Sequence, residues 1–445
     1  MLTRRHLLSH AAALAGASAL PSLAAPLAGG DYRALVCVFL YGGNDGNNMV
    51  VPTDATGYAA YAKARGVAGA GGLTLAQSSL APLNGAGVGL HPALAPLADI
   101  WNQGKLAVQA NVGPLVRPMT KAEFQAAGAQ VPTNLFSHDD QQNQWQRGQS
   151  YAGNGMASPS GWGGRMADLQ PAGGAVPMAL SVSGNNVFMN GATTQGLAVG
   201  SGNSFAIRGF GNNPTASPLY ALYQSLLQQP YANAEERAAA SVLNQAIKAS
   251  NALNTALSGS GSVAGLFNGQ NSGIAQQLLT VAKIIEGRAG LGVNRQLFFV
   301  SLGGFDTHND QLNQQQNLFN DLGRALKSFY DAMQQLGLAN GVTTFTASDF
   351  ARTLEPASGG GTDHAWGNHH FVIGGAVKGG LYGRMPQLVL GGPDDVTSEG
   401  RWLPTTSVDQ MSATLASWFG VGAADLPGLF PHLSNFPVKN LGYFA

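Results

Sequence analysis

Five short apolar segments constrain the fold of this 445-residue chain more than any other feature of its sequence. They cover residues 34–40, 105–110, 177–182, 296–302 and 342–347. In each segment the apolar residues are mostly consecutive and do not alternate with polar ones. This pattern is typical of strands covered on both faces by helices in a mostly parallel sheet. The sequence therefore predicts an α/β fold.

Helical patterns separate these predicted strands. In residues 311–336, Leu318, Leu322, Leu326 and Phe329 are spaced by three or four, and a strand follows at 342–347, which predicts a right-handed βαβ unit. Two further helices are predicted at 233–257, with Asn233 as N-cap, and at 273–287. Residues 149–213 are rich in Gly, Ser and Asn, so we interpret about 149–290 as an insertion within one domain spanning 29–445.

The first 28 residues have the pattern of an export signal. A basic start containing the adjacent Arg4 and Arg5 precedes an Ala/Leu-rich stretch that is too short for a stable membrane span. This pattern resembles a twin-arginine signal, which implies passage of the folded protein through the twin-arginine translocase to the bacterial periplasm. Whether the signal is cleaved or kept as an anchor stays open, as does an ordinary secretory signal.

The charge balance argues against a nucleic-acid-binding protein, and the cysteine content excludes an intramolecular disulfide. Charged residues make up 10% of the chain and the formal net charge is zero, so there is no basic footprint for nucleic acid. The single cysteine, Cys37, lies in an apolar segment, so it cannot form an intramolecular disulfide and is predicted to be a small buried hydrophobe.

Polar clusters follow three of the predicted strands, at the edge where ligands bind in α/β sheets. The candidates share this position or lie on the next glycine-rich loop; they are Asp45, Asn48, Asp306, His308, Asp349, Arg352, Asp363 and His364. Carboxylates and imidazoles without thiolates suit Zn²⁺, Mn²⁺, Mg²⁺ or Ca²⁺, and such acids repel one another unless a cation lies among them. We expect one or two divalent ions here.

Each cluster also has a simpler interpretation. The glycines around Asp45 are good turn formers, and Asp306 precedes a helical pattern, where it could act as an N-cap. Asp349 could cap a turn and pair with Arg352, and the pair His369 and His370 could lie in the core.

Four motifs together resemble a known family: LYGGNDGNN, SLGGFDTHNDQ, SDFARTLEP and GTDHAWGNHHFVIGGAVKGGLYG. The family consists of bacterial proteins exported by the twin-arginine route and classed as a domain of unknown function, and it is similar to the alkaline phosphatase and sulfatase superfamily. The resemblance implies a three-layer sandwich of the alkaline phosphatase type. It also implies one or two divalent ions and hydrolysis of phosphate or sulfate esters by a nucleophile at a helix N-terminus.

The resemblance also assigns roles to individual residues. It implies metal ligation by Asp45, Asp306, His308, Asp349 and His364, with Asp363 as a further candidate ligand. Ser137, in NLFSHDDQQNQW, holds the chain-order position of the nucleophile, although it could equally be a plain N-cap residue. The residues that would bind the non-bridging oxygens of a substrate are Arg352, Asn48, His138 and His370.

The chain departs from the superfamily pattern in three places. Asp306 and His308 are more closely spaced than the corresponding pair, and Phe350 stands where the phosphatases carry a histidine. One metal site is therefore missing or rebuilt, with His369 or His370 as candidate replacements. The Cys-x-Pro-x-Arg motif of formylglycine sulfatases is absent.

Two functions remain as hypotheses. The first is a periplasmic metal-dependent hydrolase of a small anionic ester or of a sulfated or phosphorylated glycan. The second is a non-catalytic binding or assembly protein that keeps the fold and works with other envelope proteins.

Overall fold

The computed structural model describes residues 32–68, 70–151, 159–169, 176–202, 205 and 218–444. The predicted export signal at 1–28 lies outside these residues. Within the described ranges, no helix combines the length and the apolar character that crossing a membrane requires.

The described residues form two sheets. The strands are, in chain order, β1 (Arg33–Leu40), β2 (Val50–Pro52), β3 (Ala81–Leu83), β4 (Val88–Leu90), β5 (Leu106–Gly113), β6 (Ala179–Ser181), β7 (Leu197–Ala198), β8 (Arg295–Leu302), β9 (Val342–Ser348), β10 (Asn368–Gly374), β11 (Gly380–Gly383) and β12 (Thr406–Ser407). Nine of them form the main sheet in the order β11-β5-β10-β9-β1-β8-β6-β7, with β12 also paired to β5, while β2, β4 and β3 form a small antiparallel sheet.

The main sheet is parallel except for β10. This strand is antiparallel to both of its neighbours, β5 and β9. The pairs β1–β8, β1–β9, β6–β8 and β5–β11 are all parallel. The predicted mixed α/β fold with a mostly parallel sheet is confirmed at this level.

Helices connect and cover the strands. They are α1 (Gly46–Met49), α2 (Ala55–Arg65), α3 (Pro96–Asn102), α4 (Lys121–Gln125), α5 (His138–Arg147), α6 (Trp162–Asp168), α7 (Pro218–Leu227), α8 (Ala234–Leu257), α9 (Gly273–Glu286), α10 (Arg288–Leu291), α11 (Gln311–Gln335), α12 (Val408–Phe419) and α13 (Leu426–Leu429). Short 3₁₀ helices lie at Gln77–Ser79, Pro92–Leu94, Ala264–Phe267, Ala339–Gly341 and Leu433–Asn435.

The two faces of the sheet are covered by different helices, which gives three layers. In β1, Val36 and Val38 pack into a core cluster shared with α9 and α11. Cys37 and Phe39, on the opposite face, pack into a cluster shared with α6 and α12. Burial on both faces explains why the strand reads as one continuous apolar segment. The burial predicted for Cys37 is confirmed, with 2% of the residue exposed.

The predicted elements agree with the structure to within a few residues. The helix predicted at 311–336 is α11, and the strands predicted on either side of it are β8 and β9. These two strands are parallel but not adjacent, because β1 pairs with both of them. Asn233 caps α8 as predicted, accepting hydrogen bonds from the backbone N–H groups of Glu235 and Glu236.

The region predicted as an insertion contributes to the main sheet as well as adding helices. Its strand β6 pairs with β8, and β7 pairs with β6. Helices α7 and α8 share a smaller apolar cluster that contains Tyr220, Leu227 and Ile247.

Candidate functional site

The direction of the strands brings the sequence clusters to one edge of the main sheet. The carboxyl ends of β1, β8 and β9 lie side by side at this edge because the three strands are parallel and adjacent. Strand β10 runs the other way, so its beginning lies at the same edge. Asp363 and His364, which precede β10, therefore meet the residues that follow β8 and β9.

Two glycines allow the loops at this edge to approach one another. Gly42 has a φ of 114°, and a Cβ there would lie 2.4 Å from the backbone nitrogen of Asp306. Gly43 has a φ of 84°, and a Cβ would lie 2.4 Å from the ring of Phe350. Both positions need glycine for conformation and for space. The Gly-Gly pair after β1 therefore fixes how closely Asp306 and Phe350 pack.

Asp306 lies at the centre of the cluster and contacts three imidazoles. Its Oδ1 is 2.9 Å from Nε2 of His308 and 3.1 Å from Nε2 of His364. Its Oδ2 is 3.5 Å from Nε2 of His138. The Nε2 atoms of His308 and His364 are 3.2 Å apart. Three imidazole Nε2 atoms thus converge on one carboxylate.

A different acceptor holds the other nitrogen of each ring. Nδ1 of His138 is 2.7 Å from Oδ2 of Asp349, and Nδ1 of His308 is 3.2 Å from Oδ1 of Asp363. Nδ1 of His364 is 2.8 Å from the carbonyl oxygen of Phe136, which can only accept. The Phe136 carbonyl therefore favours neutral His364 with its proton on Nδ1 and a lone pair on Nε2. Both nitrogens of His138 and of His308 face carboxylates, and the tautomer protonated at Nδ1 is the one that leaves Nε2 free to bind a cation.

The protonation of two of these rings is biased in opposite directions. Burial lowers the pKa of His364 below its ordinary value, so this ring is neutral at pH 7. The hydrogen bond to Asp349 raises the pKa of His138. Burial acts to raise the pKa of Asp306, but Arg352, by its hydrogen bond and charge, together with His308 and His364 holds that pKa below its ordinary value. The centre of the cluster is therefore an ionised carboxylate.

The cluster contains the side-chain types that bind transition-metal ions in proteins. Nε2 of His308 and Nε2 of His364 lie 2.9 and 3.1 Å from the ionised carboxylate and 3.2 Å from each other. Lone pairs at these distances repel one another unless a proton or a cation lies between them. Four tetrahedral ligands about 2.1 Å from a Zn²⁺ ion lie about 3.4 Å apart, which is close to these separations. One atom each of His138, Asp306 and His364 also lie within 4.8 Å of one another. An acceptor on the far nitrogen of each ring is the usual second-layer arrangement of metal-binding histidines.

Asp349 acts on the cluster through His138. It is fully buried, and its Oδ2 accepts from His138 and from Nε2 of Gln142, at 2.8 Å in the second case. Its Oδ1 accepts from the backbone N–H of Gly42 at 3.2 Å. Every contact uses the carboxylate as an acceptor, and the contact with Nδ1 orients His138. Metal ligation by Asp349 stays a prediction.

Asp45 lies apart from the converging atoms. Both of its oxygens are bound by Arg65 at 2.5 and 2.6 Å, Oδ2 also accepts from Gln311 at 2.7 Å, and Asp45 caps α1. Asp45 and Arg65 are both 0% exposed. The contacts do not support the predicted metal ligation by Asp45, because its oxygens neutralise a buried guanidinium.

Arg352 is likewise occupied by the protein. Nη1 donates to Asp306 at 2.8 Å, Nε donates to the hydroxyl of Thr362 at 3.2 Å, and Nη2 donates to the carbonyl oxygen of Thr362. The residue is 0% exposed. These contacts leave Arg352 no donor directed at a substrate, so we assign it to the ion pair with Asp306. The ion pair with Asp349, which the sequence offered as an alternative, is not formed; Arg352 pairs with Asp306 in its place.

Two other predicted substrate-binding residues are buried away from the cluster. Asn48 donates to the carbonyl oxygen of Leu73 and accepts from the hydroxyl of Tyr61, which is a structural role. His370 is 0% exposed, and its ring packs against Trp145 with centroids 4.9 Å apart. Neither position supports contact with a substrate.

The pair His369 and His370 does not replace the ligand that Phe350 lacks. Nδ1 of His369 accepts from the backbone N–H of Asn111 at 3.0 Å, and both histidines are buried within β10. Phe350 stacks on His364 with ring centroids 4.5 Å apart. His138, predicted only as a substrate-binding residue, lies in the position to supply the additional imidazole.

Ser137 is the N-cap of α5, immediately before His138. Its Oγ accepts from the backbone N–H of Asp140 at 3.5 Å, a long contact that agrees with the N-cap interpretation. The same position is at the N-terminus of a ten-residue helix whose first residue, His138, contacts the cluster. The nucleophile role of Ser137 therefore stays a prediction.

Sequence reasoning missed Arg65, Gln142 and Gln311. Each lies on a helix, and each contacts a buried carboxylate that follows a strand of the main sheet. In the sequence, these three residues stand out only as polar residues in predicted or possible helices. Polarity alone does not identify the carboxylate to which a side chain binds.

Residues 32–421 match a family described as "Protein of unknown function (DUF1501)". No curated protein matches the chain. One similar solved structure is titled "Crystal structure of Ps i-CgsB in complex with k-i-k-neocarrahexaose". The match covers 90% of this chain and 74% of that one, with 8% sequence identity and a TM-score of 0.37, and this likeness carries no argument about function.

Proposed function

The chain belongs to the DUF1501 family, whose description assigns no function, and we propose that it is an exported, metal-dependent hydrolase of phosphate or sulfate esters. One observation carries the proposal. The Nε2 atoms of His138, His308 and His364 converge on the carboxylate of Asp306, and an acceptor holds each Nδ1.

The donor set favours a transition metal. Three imidazole nitrogens and one carboxylate suit Zn²⁺ or Mn²⁺ better than Mg²⁺ or Ca²⁺, which prefer sites built from oxygen alone. When bound, such an ion polarises an ester oxygen and lowers the pKa of a coordinated water. Asp306 and the three histidines would hold the ion, and Asp363 would orient His308.

Two features bring the anionic ester to this ion. The first is position: the cluster lies at the carboxyl ends of parallel strands, where ligands bind in α/β sheets, and this supports the proposal. The N-terminus of α5, where Ser137 lies, favours negative charge. Either the Ser137 hydroxyl or a water attacks the phosphorus or sulfur atom and breaks its bond to the alcohol, which leaves with the proton that the nucleophile loses. If Ser137 attacks, water then hydrolyses the serine ester and releases phosphate or sulfate.

The first experiment measures metal content. Protein exported by its own signal should hold about one transition-metal ion per chain, and Asp306→Asn or His364→Ala should weaken metal binding by about 100-fold or more. Asp331→Asn is the matched control, because Asp331 pairs with Lys327 on α11 at 2.7 Å, away from the site. A metal-free protein whose ion binding is unchanged in the site variants would contradict the proposal.

The second measurement is turnover of aryl phosphate, aryl sulfate and phosphate diester substrates by the metal-loaded protein. Asp306→Asn should abolish turnover. Ser137→Ala should lower kcat about 1,000-fold with metal retained if the hydroxyl attacks, whereas a much smaller loss would assign the attack to water.

A second candidate function is a non-catalytic envelope binding or assembly protein. One observation favours it: α7 exposes Leu219 and Leu222 at 56% each and Leu226 at 43%. Exposed apolar side chains on one helix are typical of contact surfaces. Absence of turnover in the same screen, with the fold intact, would favour this candidate.

A further inference from the structure

Helix α7 presents a row of leucines to solvent. Leu219 and Leu222 are 56% exposed, and Leu226 is 43% exposed. Their spacing of three and four residues puts all three on one face of the helix. On the other face, Tyr220 and Leu227 pack against α8 in an apolar cluster. Both faces of α7 are therefore apolar, and only one of them is covered within the described part of the chain.

The polar side chains of α7 are used within the pair of helices α7 and α8. Nε2 of Gln224 donates to the hydroxyl of Tyr220 at 3.1 Å, and Nδ2 of Asn251 on α8 donates to the same hydroxyl at 3.1 Å. Oγ of Ser225 donates to the carbonyl oxygen of Leu222. No residue of α7 is charged. The exposed face thus offers apolar contact, whereas a specific protein interface carries about one hydrogen bond per 100–200 Å².

The exposed face is also small for a protein partner. Three half-exposed leucines cover roughly 300 Å², whereas a specific protein–protein interface buries about 800 Å² on each partner. A lipid surface sets no such minimum, because each apolar side chain that leaves water contributes by itself. The charges on α7 and α8 balance, with Glu235 and Glu236 against Arg237 and Lys248, so this pair of helices gives no net attraction to anionic headgroups.

The contacts between α7 and α8 fix the direction of α7. Nδ2 of Asn251 reaches Tyr220 near the start of α7, and Nδ2 of Asn244 donates to the carbonyl oxygen of Leu227 at its end. The two helices are therefore antiparallel. The start of α7, with the first of its exposed leucines, lies toward the end of α8.

The described part of the chain begins near this same end of α8. The glycine before α10 packs closely there, since a Cβ at Gly287 would lie 3.0 Å from the carbonyl oxygen of Ala256. The guanidinium of Arg288, the next residue, lies over the ring of Tyr32, 5.3 Å from the centroid. Tyr32 follows the Ala/Leu-rich N-terminal stretch, which a membrane holds during export and keeps if the stretch stays as an anchor. A membrane at this end of the molecule would lie next to α7.

We propose that α7 inserts Leu219, Leu222 and Leu226 into the boundary between headgroups and acyl chains of a lipid membrane. The contact is apolar, so it neither requires anionic lipid nor weakens at high salt. Alone it is weak and reversible, and it becomes stable when the N-terminal stretch lies in the same membrane, because two anchors act together. The inference involves neither the metal site nor hydrolysis, so it goes beyond the proposed function and fails or stands separately from it.

The test uses the protein as the cell exports it, with vesicles of phosphatidylcholine, which carry no net charge. Cys37 is 2% exposed, so a thiol introduced at the surface is the one that reacts with a label in the folded protein. Leu222→Cys labelled with an environment-sensitive fluorophore should emit more strongly and at shorter wavelength when vesicles are added, at low and at high salt. Val438→Cys is the matched control and should show no change. Val438 is 51% exposed, and its carbonyl oxygen accepts from Gln410 on α12, which covers the opposite face of the sheet.

A second variant tests whether the neighbouring leucines contribute. Leu219→Ser combined with Leu226→Ser, made in the labelled Leu222→Cys protein, should require about tenfold more lipid for the same emission change. Val389→Ser, at a residue that is 52% exposed in a loop, should not alter the amount of lipid required. Circular dichroism checks that each variant keeps the fold.

Three results would overturn the inference. The first is no emission change at position 222 in the presence of vesicles. The second is a change that needs anionic lipid or disappears at high salt. The third is a change that develops without vesicles and rises with protein concentration, which would assign this face to contact with a second copy of the chain. Metal content and turnover should equal those of the wild type in all these variants, so none of the three results bears on the proposed function.

Discussion

Asp349 acts on the site through hydrogen bonds alone. The three groups that point at its carboxylate are Nδ1 of His138, Nε2 of Gln142 and the backbone N–H of Gly42, and all of them donate. An asparagine offers one oxygen to three donors, and its NH₂ group would face one of them. If it faced His138, Nδ1 would have to accept, and the proton would move to Nε2.

We therefore expect Asp349→Asn to weaken metal binding by about 10- to 100-fold without unfolding the protein, because His138 would lose the tautomer that ligates. Competition with a chelator measures the affinity, and circular dichroism confirms the fold. Asp168→Asn is the control, since Asp168 also accepts backbone N–H groups, at Ala192 and Thr194, outside the site. Unchanged affinity in Asp349→Asn would show that Asp349 does not orient a ligand.

Single residues were predictable from the sequence where position alone sets their role. Asp306 and His308 were expected at the site because they follow a predicted strand, and His364 because it lies on the next glycine-rich loop; the structure brings the three together. Arg352 and Asp45 have the same kind of position, but their side chains pair inward with Asp306 and Arg65. Chain position gives the edge of the sheet on which a residue lies, whereas rotamer and burial decide what it touches.

At the scale of elements, the direction of β10 explains why the last sequence cluster joins the first ones. An apolar pattern carries no information on the direction of a strand, which for β10 depends on pairing with β5 and β9. The loop before β10, with Asp363 and His364, reaches the site only because the strand is antiparallel. Pairing between distant segments is the part of the fold that local pattern does not contain.

The ion pair between Asp45 and Arg65 connects two other elements, the turn after β1 and the last residue of α2. Within the described residues, Nε and Nη1 of Arg65 have no acceptor, so Asp45 is the charge that compensates this buried guanidinium. This pairing uses both oxygens of Asp45, so we expect the metal site to be independent of the pair.

Arg65→Met alone should lower the free energy of unfolding by about 3–5 kcal/mol, because it leaves the Asp45 carboxylate buried and unpaired. Asp45→Asn combined with Arg65→Met removes both charges, so it should recover most of that loss and bind Zn²⁺ as the wild type does. Urea unfolding and equilibrium dialysis measure the two quantities. A double variant that folds but has lost its metal would show that Asp45 is a ligand after all.

At the scale of the whole molecule, core histidines couple stability to pH. Burial lowers the pKa of His91 and of His369 to about 4 and that of His370 to about 3, against about 6.5 in the unfolded chain. The unfolded state therefore binds more protons in this range, so stability is fully present above pH 6.5 and falls as the pH drops towards 4. Asp409 opposes this trend, because burial raises its pKa to about 7.

The three histidines outweigh the one aspartate, so we expect the free energy of unfolding to fall between pH 7.5 and pH 5. Each histidine contributes a loss of about 2 kcal/mol over this interval and Asp409 a gain of about 2, which leaves a net loss of about 4 kcal/mol. His370→Phe keeps the ring against Trp145 and should reduce the loss by about 2 kcal/mol, whereas Asp409→Asn should increase it by a similar amount. Urea unfolding at both pH values checks these opposite changes. Equal pH dependence in the wild type and both variants would mean that the titration of exposed groups, and not of the core, controls stability.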